Sequence, residues 1–555
     1  MSDLRDQSGQ APRPAHSSPL TLEQALQLGE AERRTGYWVQ DEVHFGHPLT
    51  PLFASFQVPA LTAGTRRAFD TLSMPMLEFR ARLVDGYFYQ WAVEAPDAKE
   101  REQRQRRLMA EDIIPTHAER FRRVVHGELL PLYAELDHRA QELATAEDAL
   151  AALEAIGAAY DLVWQRHFEL VLPLMAARGA LGDLIKRLTG REDPGVLSAI
   201  FAGVTTKTLE TDRELRRLAE SAPPEMTQAL ESPQAEWLAR LAETPGGEEF
   251  LKRLHTFLAE YGHRVPHSHE FVEPTWIEDP TQPLALIRTY LRQPFAFDAH
   301  MARLAAERQE ALATLRDSMP DTAERAAFER LYQQVLPFWG VDEDHHFYID
   351  AMLPAKTRPL VLKVGALLAA ADVLADPEDV CFLYRDEVDA VLRSPEDRRA
   401  LAAARRADWR RQQQRVPTPY FGTRPTRDDP LQVLVFGEPD RPAASPTIHT
   451  LKGQPASAGV YRGRVRIIRD PAEFGRLQPG EVLVCRTTAP PWTPLFSIAG
   501  AIVTDAGGAL SHAATVAREY RRPAVVGVRI ATQLLADGQF VTVDGSAGTV
   551  TLDGR

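Results

Sequence analysis

The sequence predicts a multidomain α and α/β protein in which a large, mainly helical domain precedes a small β/α domain. Three observations support this fold class. The length of 555 residues exceeds what a single hydrophobic core usually organises. Residues 97–262 carry apolar side chains at helical spacing almost throughout. Residues 501–520 change from an apolar strand to a glycine turn and then to a helix.

The expected domain boundaries follow from local composition. Residues 1–20 are rich in Ser, Pro and Gln and predict a mobile tail. Residues 21–436 form the mainly helical domain, and residues 450–555 form the small domain. Residues 437–449 predict a linker, because the segment is polar, contains spaced prolines and lacks apolar periodicity.

Composition limits the partners and the location. The formal net charge of −13 argues against nucleic acid or an anionic membrane as the main partner. Only Cys381 and Cys485 are present, which excludes a disulfide framework and a four-cysteine metal site. The N-terminus lacks the apolar core of a signal peptide, and no apolar run is long enough to span a bilayer. The expected location is the cytoplasm.

The first structured segments lead into an aromatic stretch. Apolar repeats predict a helix over residues 21–36. Residues 37–56 contain too many prolines and aromatic residues for a helix, and they predict a folded loop that lines a binding site. The substrate-binding candidates in this loop are Trp38, His44 and Phe45. The alternative is an aromatic loop that only closes a helical core.

A histidine-rich loop follows a predicted helix that ends at Gly262. We expect Arg264 to contact a phosphate, Glu270 to orient an acceptor and His263 to contact the substrate. The alternative is that this loop binds a metal through His263, His267, His269 and Glu270. No metal site is expected, because the spacing of these residues does not match a helix-borne pair such as H-E-x-x-H.

A third segment, residues 339–350, opens another predicted helix. Asp344, His345 and Asp350 combine carboxylates and an imidazole near the helix start, which are the groups that a base for an alcohol requires. The alternative is a capped helix with exposed polar residues. Which histidine or carboxylate acts as the base stays open.

His512 lies in the most informative segment. The apolar strand stops at the turn that contains Gly507 and Gly508, and Ser511 is an acceptable N-cap for the helix that follows. His512 is therefore expected at a surface turn, in the first turn of that helix. Helix N-termini and adjacent glycines favour a bound phosphate, and imidazole is a competent nucleophile. The alternative is a histidine that only caps or packs at a helix start.

The segment also carries a family resemblance. Residues 507–519 and 522–527 resemble the phosphohistidine swivelling domain of phosphoenolpyruvate synthase, pyruvate phosphate dikinase and rifampicin phosphotransferase. Flanking segments are similar to that domain in the same order, at residues 456–465, 479–484, 491–496 and 543–550. In this family the histidine carries phosphate between two active sites, and that role transfers by position to His512. Residues 257–276 and 364–383 are similar to the acceptor domain of rifampicin-phosphotransferase-like proteins.

The resemblance implies a phosphotransferase. Relatives that use ATP usually carry an ATP-grasp domain, and no such domain or phosphoenolpyruvate-binding barrel is recognisable in this sequence. The arrangement most resembles the histidine-bearing subunit of aryl phosphate synthases such as phenylphosphate synthase. The implied reaction transfers phosphate from an ATP-grasp partner, which binds ATP and Mg²⁺, through His512 to the hydroxyl of a phenol or another small aromatic alcohol.

Two other functions stay open. One is a non-catalytic phosphocarrier or regulatory protein, in which the helical domain only docks partners. The other is a stand-alone ATP-dependent kinase of a natural product, with a divergent nucleotide site. An acceptor-sized apolar pocket that faces His512 would argue against the first, and ATP binding by the isolated chain would support the second.

Overall fold

The structure is a computed structural model that describes most of the chain: residues 20–95, 97, 99–104, 113–190, 194–265, 269–292, 295–424, 449–469, 471–489, 492–508 and 511–552. Apart from their end residues Leu20 and His449, the tail predicted at residues 1–20 and the linker predicted at residues 437–449 lie outside the described residues.

The first part of the chain, up to residue 424, is mainly helical. Its α-helices are Leu22–Leu26, Glu30–Thr35, Pro51–Thr71, His117–Val124, Leu130–Glu142, Ala146–Thr189, Pro194–Ile200, Lys207–Glu220, Glu225–Ala229, Trp237–Glu243, Gly247–Tyr261, Thr281–Arg292, Phe297–Asp317, Ala323–Val335, Val341–His345, Met352–Ala370, Arg385–Arg393 and Arg399–Gln412. Short 3₁₀ helices occupy Ile114–Thr116, Gln234–Glu236, Leu336–Phe338 and Pro377–Phe382, and π turns occupy Val125–Leu129 and His346–Ala351.

Two long helices form the centre of this domain. The Ala146–Thr189 helix, 44 residues long, packs along the Pro51–Thr71 helix. Gly64 allows their close approach, because a Cβ at this position would lie 2.8 Å from the Trp164 carbonyl carbon. The Trp164 Nε1–H then donates to Gln57 Oε1 at 3.0 Å. This contact fixes the helix face from which Trp164 and its neighbours reach the site described below.

The N-terminal elements differ from the prediction. The helix predicted over residues 21–36 is broken into two, because the Leu28 N–H donates to the Leu83 carbonyl at 2.8 Å and draws the backbone to a strand. The loop predicted over residues 37–56 contains a short strand, Tyr37–Gln40, and the first residues of the Pro51–Thr71 helix. Pro51 is compatible with that helix because it occupies the first turn, where its missing N–H removes no hydrogen bond.

A small sheet covers one end of the helical domain. Its strands are β1 (Tyr37–Gln40), β2 (Met76–Val84), β3 (Tyr87–Glu94) and β4 (Tyr420–Gly422), in the order β2-β3-β1-β4 and with antiparallel pairing throughout. This sheet joins the start of the described chain to residues more than 300 positions later.

The C-terminal domain has the predicted β/α character. Eight strands form a sheet in the order β5-β12-β11-β7-β8-β9-β10-β6, with β7 to β10 parallel. The strands are β5 (Thr450–Lys452), β6 (Gln454–Ser457), β7 (Val460–Ile467), β8 (Val482–Cys485), β9 (Ala501–Thr504), β10 (Ala524–Val526), β11 (Phe540–Asp544) and β12 (Thr549–Leu552). Helices Thr493–Ile498, His512–Glu519 and Ala531–Leu534 and the 3₁₀ helix Pro471–Arg476 accompany them.

Polar contacts join the two domains. The Tyr520 hydroxyl donates to Asp212 Oδ2 at 2.5 Å, and the Arg486 guanidinium donates to the Gly46 carbonyl at 2.8 Å. These contacts hold the edge of the C-terminal sheet that carries His512 against the helical domain. Among the described helices, no segment has the combination of length and apolar character that crossing a membrane requires.

Candidate functional site

His512 is positioned by two parallel strands. Because β8 and β9 are parallel, the loops after them lie at the same edge of the sheet. The loop after β8 supplies Thr488, and the turn after β9 leads into the His512–Glu519 helix. The predicted strand, glycine turn and helix are therefore confirmed.

The turn before His512 depends on glycine. Gly507 has a φ of 106°, and a Cβ there would lie 2.8 Å from the Ser511 hydroxyl oxygen. The Gly508 carbonyl accepts the Ser511 N–H at 3.0 Å. Within the described residues the Ser511 Oγ has no hydrogen-bond partner, although it lines the cavity described below. The turn thus leaves a hydroxyl available beside the imidazole.

The imidazole of His512 is held by two hydroxyl groups. Its Nδ1 lies 2.9 Å from Thr488 Oγ1, and its Nε2 lies 3.2 Å from Thr493 Oγ1. The Nε2 is also 3.9 Å from Glu343 Oε2. These contacts orient the ring toward the helical domain.

The expected surface position of His512 is wrong, because its side chain is buried. The residue is only 5% exposed, since the docked helical domain covers this edge of the sheet. Burial holds the pKa of His512 well below its usual value, and the nearby Arg264 cation acts in the same direction. The ring is neutral as a result, and one of its nitrogens retains the lone pair that a nucleophile needs.

A cavity of about 580 Å³ lies between the two domains and contains His512 in its wall. This volume is in the range of small-molecule sites. Aromatic side chains from both domains form much of its lining: Phe45, Phe79, Trp164, Phe168, Trp409 and Trp492. The polar lining includes His44, His167, His269, His345, His346, Asp350, Thr488, Ser511 and His512.

Asp350 is the centre of a histidine cluster on the wall that the helical domain supplies. His346 Nδ1 lies 2.5 Å from Asp350 Oδ2, and His345 Nε2 lies 3.9 Å from the same oxygen. On the other side, His167 Nδ1 and His269 Nε2 lie 3.6 Å and 3.9 Å from Asp350 Oδ1. Burial raises the pKa of Asp350, but the surrounding imidazoles outweigh that effect and hold the pKa well below its usual value. The carboxylate is therefore ionised.

His345 and Asp350 both line the cavity, and the contacts distinguish His345 from the neighbouring His346. The ring of His345 is tied by its Nδ1 to the Val341 carbonyl at 2.9 Å, whereas His346 makes the hydrogen bond to Asp350. His346 was missed as a candidate, although its spacing of four residues from Asp350 on a helical segment was a usable signal. His167 was also missed, and no local pattern indicates it.

Asp344 lies outside the cavity, contrary to its predicted role. Its Oδ1 accepts the Lys207 N–H at 2.7 Å, at the start of the Lys207–Glu220 helix. Burial raises its pKa to about 6 against the opposing effect of Lys207. Its position at a helix start serves that helix and does not face the acceptor space.

The aromatic segment supplies two of its three predicted residues. His44 and Phe45 line the cavity. Trp38 does not reach it, because its ring is buried among Leu28, Tyr87 and Tyr89 and its Nε1–H donates to the Glu32 carbonyl.

His44 carries a positive charge at neutral pH. Burial lowers its pKa, but the Asp41 carboxylate, 3.0 Å away, outweighs burial and raises the pKa to about 8. A protonated imidazole in the cavity wall can offset the negative charge of a phosphoryl group.

The histidine-rich loop contributes in a different way from the prediction. Arg264 is buried behind the cavity wall, where its Nη2 donates to Thr211 Oγ1 at 3.0 Å. Its Nε and Nη1 have no hydrogen-bond partner in the described part of the chain. Burial lowers the pKa of Arg264 to about 10, so the group remains cationic at neutral pH close to His512. The predicted contact between Arg264 and a phosphate stays a prediction.

His263 and Glu270 have mainly structural surroundings. His263 is buried away from the cavity, and burial lowers its pKa to about 4. Glu270 borders the cavity, but its oxygens accept the Thr50 N–H, the Thr50 hydroxyl and the Phe271 N–H at 2.8, 2.6 and 2.7 Å. Glu270 thus anchors the start of the Pro51–Thr71 helix, and few of its lone pairs remain for an acceptor.

The domain contact is expected to weaken as pH rises from about 6.5 to about 8. Burial, opposed by Arg518, raises the pKa of Glu519 from 4.5 to about 8, and burial also raises the pKa of Glu343. The docked state therefore binds more protons than the separated state, and docking loses stability as pH increases. Below pH 6.5, His512 becomes protonated in the separated state but stays neutral in the docked state, so this residue alone makes docking less stable as pH falls.

Fluorescence energy transfer between dyes on the two domains measures this dependence. The logarithm of the docking constant is expected to fall as pH rises, by up to about one per pH unit through Glu519 alone, and to fall less steeply in Glu519→Gln. A docked fraction that grows with pH over this window would contradict the assignment of both acids.

Comparisons with known proteins identify two regions. Residues 166–343 match the family described as the rifampicin phosphotransferase fourth domain, and residues 477–548 match the mobile domain of PEP-utilising enzymes. The first match includes His167, and the second includes His512. Each match lies within one of the two domains described above.

Curated relatives extend the similarity to most of the chain. The chain is 35% identical over 530 residues to the uncharacterized phosphotransferase YvkC of Bacillus subtilis, which covers 94% of this chain and 62% of that protein. It is 32% identical to chondramide synthase cmdD of Chondromyces crocatus over 93% of this chain and 14% of that protein. It is 32% identical to a rifampicin phosphotransferase of Streptomyces sviceus over 57% of this chain and 36% of that protein. The chain thus spans less than two thirds of each of these relatives.

Proposed function

The chain belongs to the PEP-utilising enzyme family and has rifampicin phosphotransferases among its homologues, and from this we propose that it transfers phosphate through His512 to a hydroxyl acceptor. One observation carries the proposal. His512 and the Asp350 histidine cluster line the same cavity from opposite domains. A carrier that only docked partners would not need an enclosed, aromatic cavity with a base opposite the imidazole.

The transfer step uses groups already in position. The acceptor hydroxyl gives its proton to His346 Nε2, while the Nδ1–H of that ring is held by Asp350. The acceptor oxygen attacks the phosphorus of phosphorylated His512, a P–O bond forms, and the P–N bond breaks. The electron pair of the P–N bond returns to the imidazole nitrogen of His512. Protonated His44 and Arg264 offset the charge on the phosphoryl oxygens, so that positioning and electrostatics supply the catalysis.

A phenol is the proposed acceptor. Its pKa of roughly 10 is within reach of an imidazole base, whereas an aliphatic alcohol is a much weaker acid. The lining of Phe45, Trp164 and Trp492 suits a flat apolar ring. The second candidate is a hydroxyl of a natural product, which the similarity to rifampicin phosphotransferase favours.

His512 must also be loaded, and its burial bears on that step. A docked imidazole that is 5% exposed is closed to a second large partner. We infer that the C-terminal domain leaves the helical domain to take phosphate from an ATP-grasp partner, which binds ATP and Mg²⁺, and then returns. The contacts at Tyr520 and Arg486 are those that this movement breaks.

The function is tested with radiolabelled ATP and the purified chain, with and without a purified ATP-grasp subunit. Label is expected on His512 only with the partner, and then on a phenol from a panel that also contains rifampicin. Autophosphorylation of the pure chain would overturn dependence on a partner. A labelled chain that passes phosphate to none of the hydroxyl compounds would favour a non-catalytic carrier.

A further inference from the structure

Three buried side chains with metal-binding atoms meet at one wall of the cavity. They are His167 from the Ala146–Thr189 helix, His345 at the end of the Val341–His345 helix, and Asp350 in the π turn that follows. One nitrogen or oxygen from each lies within 4.8 Å of the others. In a tetrahedral zinc site, bonds of roughly 2.0–2.2 Å place neighbouring ligand atoms about 3.4 Å apart. Small side-chain movements are therefore sufficient to close the set around an ion.

Two of the three atoms that face this point make no hydrogen bond within the described residues. Within the described residues, His167 Nδ1 and Asp350 Oδ1 are buried and make no hydrogen bond, and they lie 3.6 Å apart. Burying polar atoms without partners is unfavourable, and a cation between them satisfies both.

Neighbouring groups also orient His345 and Asp350 for metal binding. The contact between His345 Nδ1 and the Val341 carbonyl requires the proton on Nδ1, which leaves the Nε2 lone pair directed toward Asp350. His346 holds the second carboxylate oxygen of Asp350. Outer partners of this kind fix the orientation of metal-binding imidazoles and carboxylates.

We propose that His167, His345 and Asp350 bind one divalent transition-metal ion, best matched by Zn²⁺, which holds the acceptor hydroxyl opposite His512. Two imidazoles and a carboxylate suit Zn²⁺, Mn²⁺ or Co²⁺, whereas Mg²⁺ and Ca²⁺ prefer oxygen ligands. Three protein ligands leave a position open for an oxygen from the cavity. This inference rests on the proposed function and adds to it a means of lowering the pKa of the acceptor hydroxyl.

The site is new relative to the sequence prediction. From the sequence, a metal is considered only for the loop that contains His263, His267 and His269, and it is not expected there because the spacing matches no helix-borne pair. Of the proposed ligands, His167 lies more than 170 positions before His345 and Asp350 in the chain. Their convergence is a property of the folded helical domain.

Calorimetric titration of Zn²⁺ into the full chain, after removal of metals with a chelator, tests the proposal without ATP or acceptor. We expect one ion per chain with a Kd below about 1 µM. His167→Gln and His345→Gln should each weaken binding by at least about 100-fold, because even loss of outer partners costs 10–100-fold. His138→Gln is the matched control, since His138 is an exposed histidine on the Leu130–Glu142 helix.

A second measurement uses only the wild-type chain, so it does not depend on whether the variants fold. Co²⁺ added to the metal-free wild-type chain should give visible absorption bands of a low-coordinate site, and Zn²⁺ should displace them. Absence of both Zn²⁺ binding and Co²⁺ bands overturns the proposal, as does binding that neither substitution weakens in folded variants. Transfer from His512 at full rate in the metal-free chain refutes the role of the ion and leaves the proposed function standing. Failure to phosphorylate His512 refutes the function while Zn²⁺ binding persists.

Discussion

His512→Ala is expected to abolish both the acid-labile phosphate on the protein and the phosphorylation of the acceptor. The imidazole is the nucleophile that forms the P–N bond, and the nearby Thr488 and Thr493 hydroxyls cannot form such a bond. The fold should persist, since the loss of two hydrogen bonds to one buried side chain costs about 1–3 kcal/mol. Label retained after base treatment and lost in acid measures the phosphohistidine, and thermal unfolding checks the fold.

His138→Ala serves as the control for this experiment, because it removes an exposed histidine and should leave labelling unchanged. Acid-labile phosphate that persists in folded His512→Ala would show that another residue carries the phosphate. The assignment from the strand, glycine turn and helix would then be wrong.

His346→Gln is expected to slow transfer to the acceptor by about 10²–10⁴-fold while phosphorylation of His512 continues. The reason is the short contact between His346 and Asp350, which leaves the other ring nitrogen for the hydroxyl proton. Phosphohistidine should therefore accumulate in this variant. Rapid mixing of the labelled protein with a phenol, followed by separate counting of protein and product, measures the two steps independently.

Asp350→Asn should act in the same direction, because the amide removes the charge that supports His346. His138→Gln should show normal accumulation and decay of the phosphoprotein. An unchanged transfer rate in His346→Gln would remove His346 as the base and leave the other imidazoles beside Asp350, including His345, as candidates.

Much of the C-terminal domain could be predicted, because its signals are local. The apolar run of β9, the glycine at 507 with its positive φ and the helix after Ser511 follow one another within twenty residues. The helical class of residues 97–262 follows from periodicity for the same reason. Local signals failed at residues 21–36, where a hydrogen bond from Leu28 to Leu83 overrides the helical pattern.

The site was harder to predict, because it is built by contacts between distant residues. His44, His345 and Asp350 were recognised from local chemistry, but His167 joins them only through packing of the Ala146–Thr189 helix. Trp38 and Asp344 have suitable chemistry, yet the fold directs them into a small aromatic core and a helix start. The burial of His512 depends on domain docking, which no stretch of sequence near His512 records.

The most direct test of the central claim is a single-turnover chase of phosphorylated His512. The phosphoprotein, separated from ATP and the partner, is mixed with increasing concentrations of a phenol. The account predicts that loss of the phosphohistidine speeds up with phenol, saturates, and yields one aryl phosphate for each phosphohistidine consumed. Loss of the label only as inorganic phosphate, at a rate independent of every phenol and of rifampicin, would contradict transfer from His512 to a hydroxyl in this cavity.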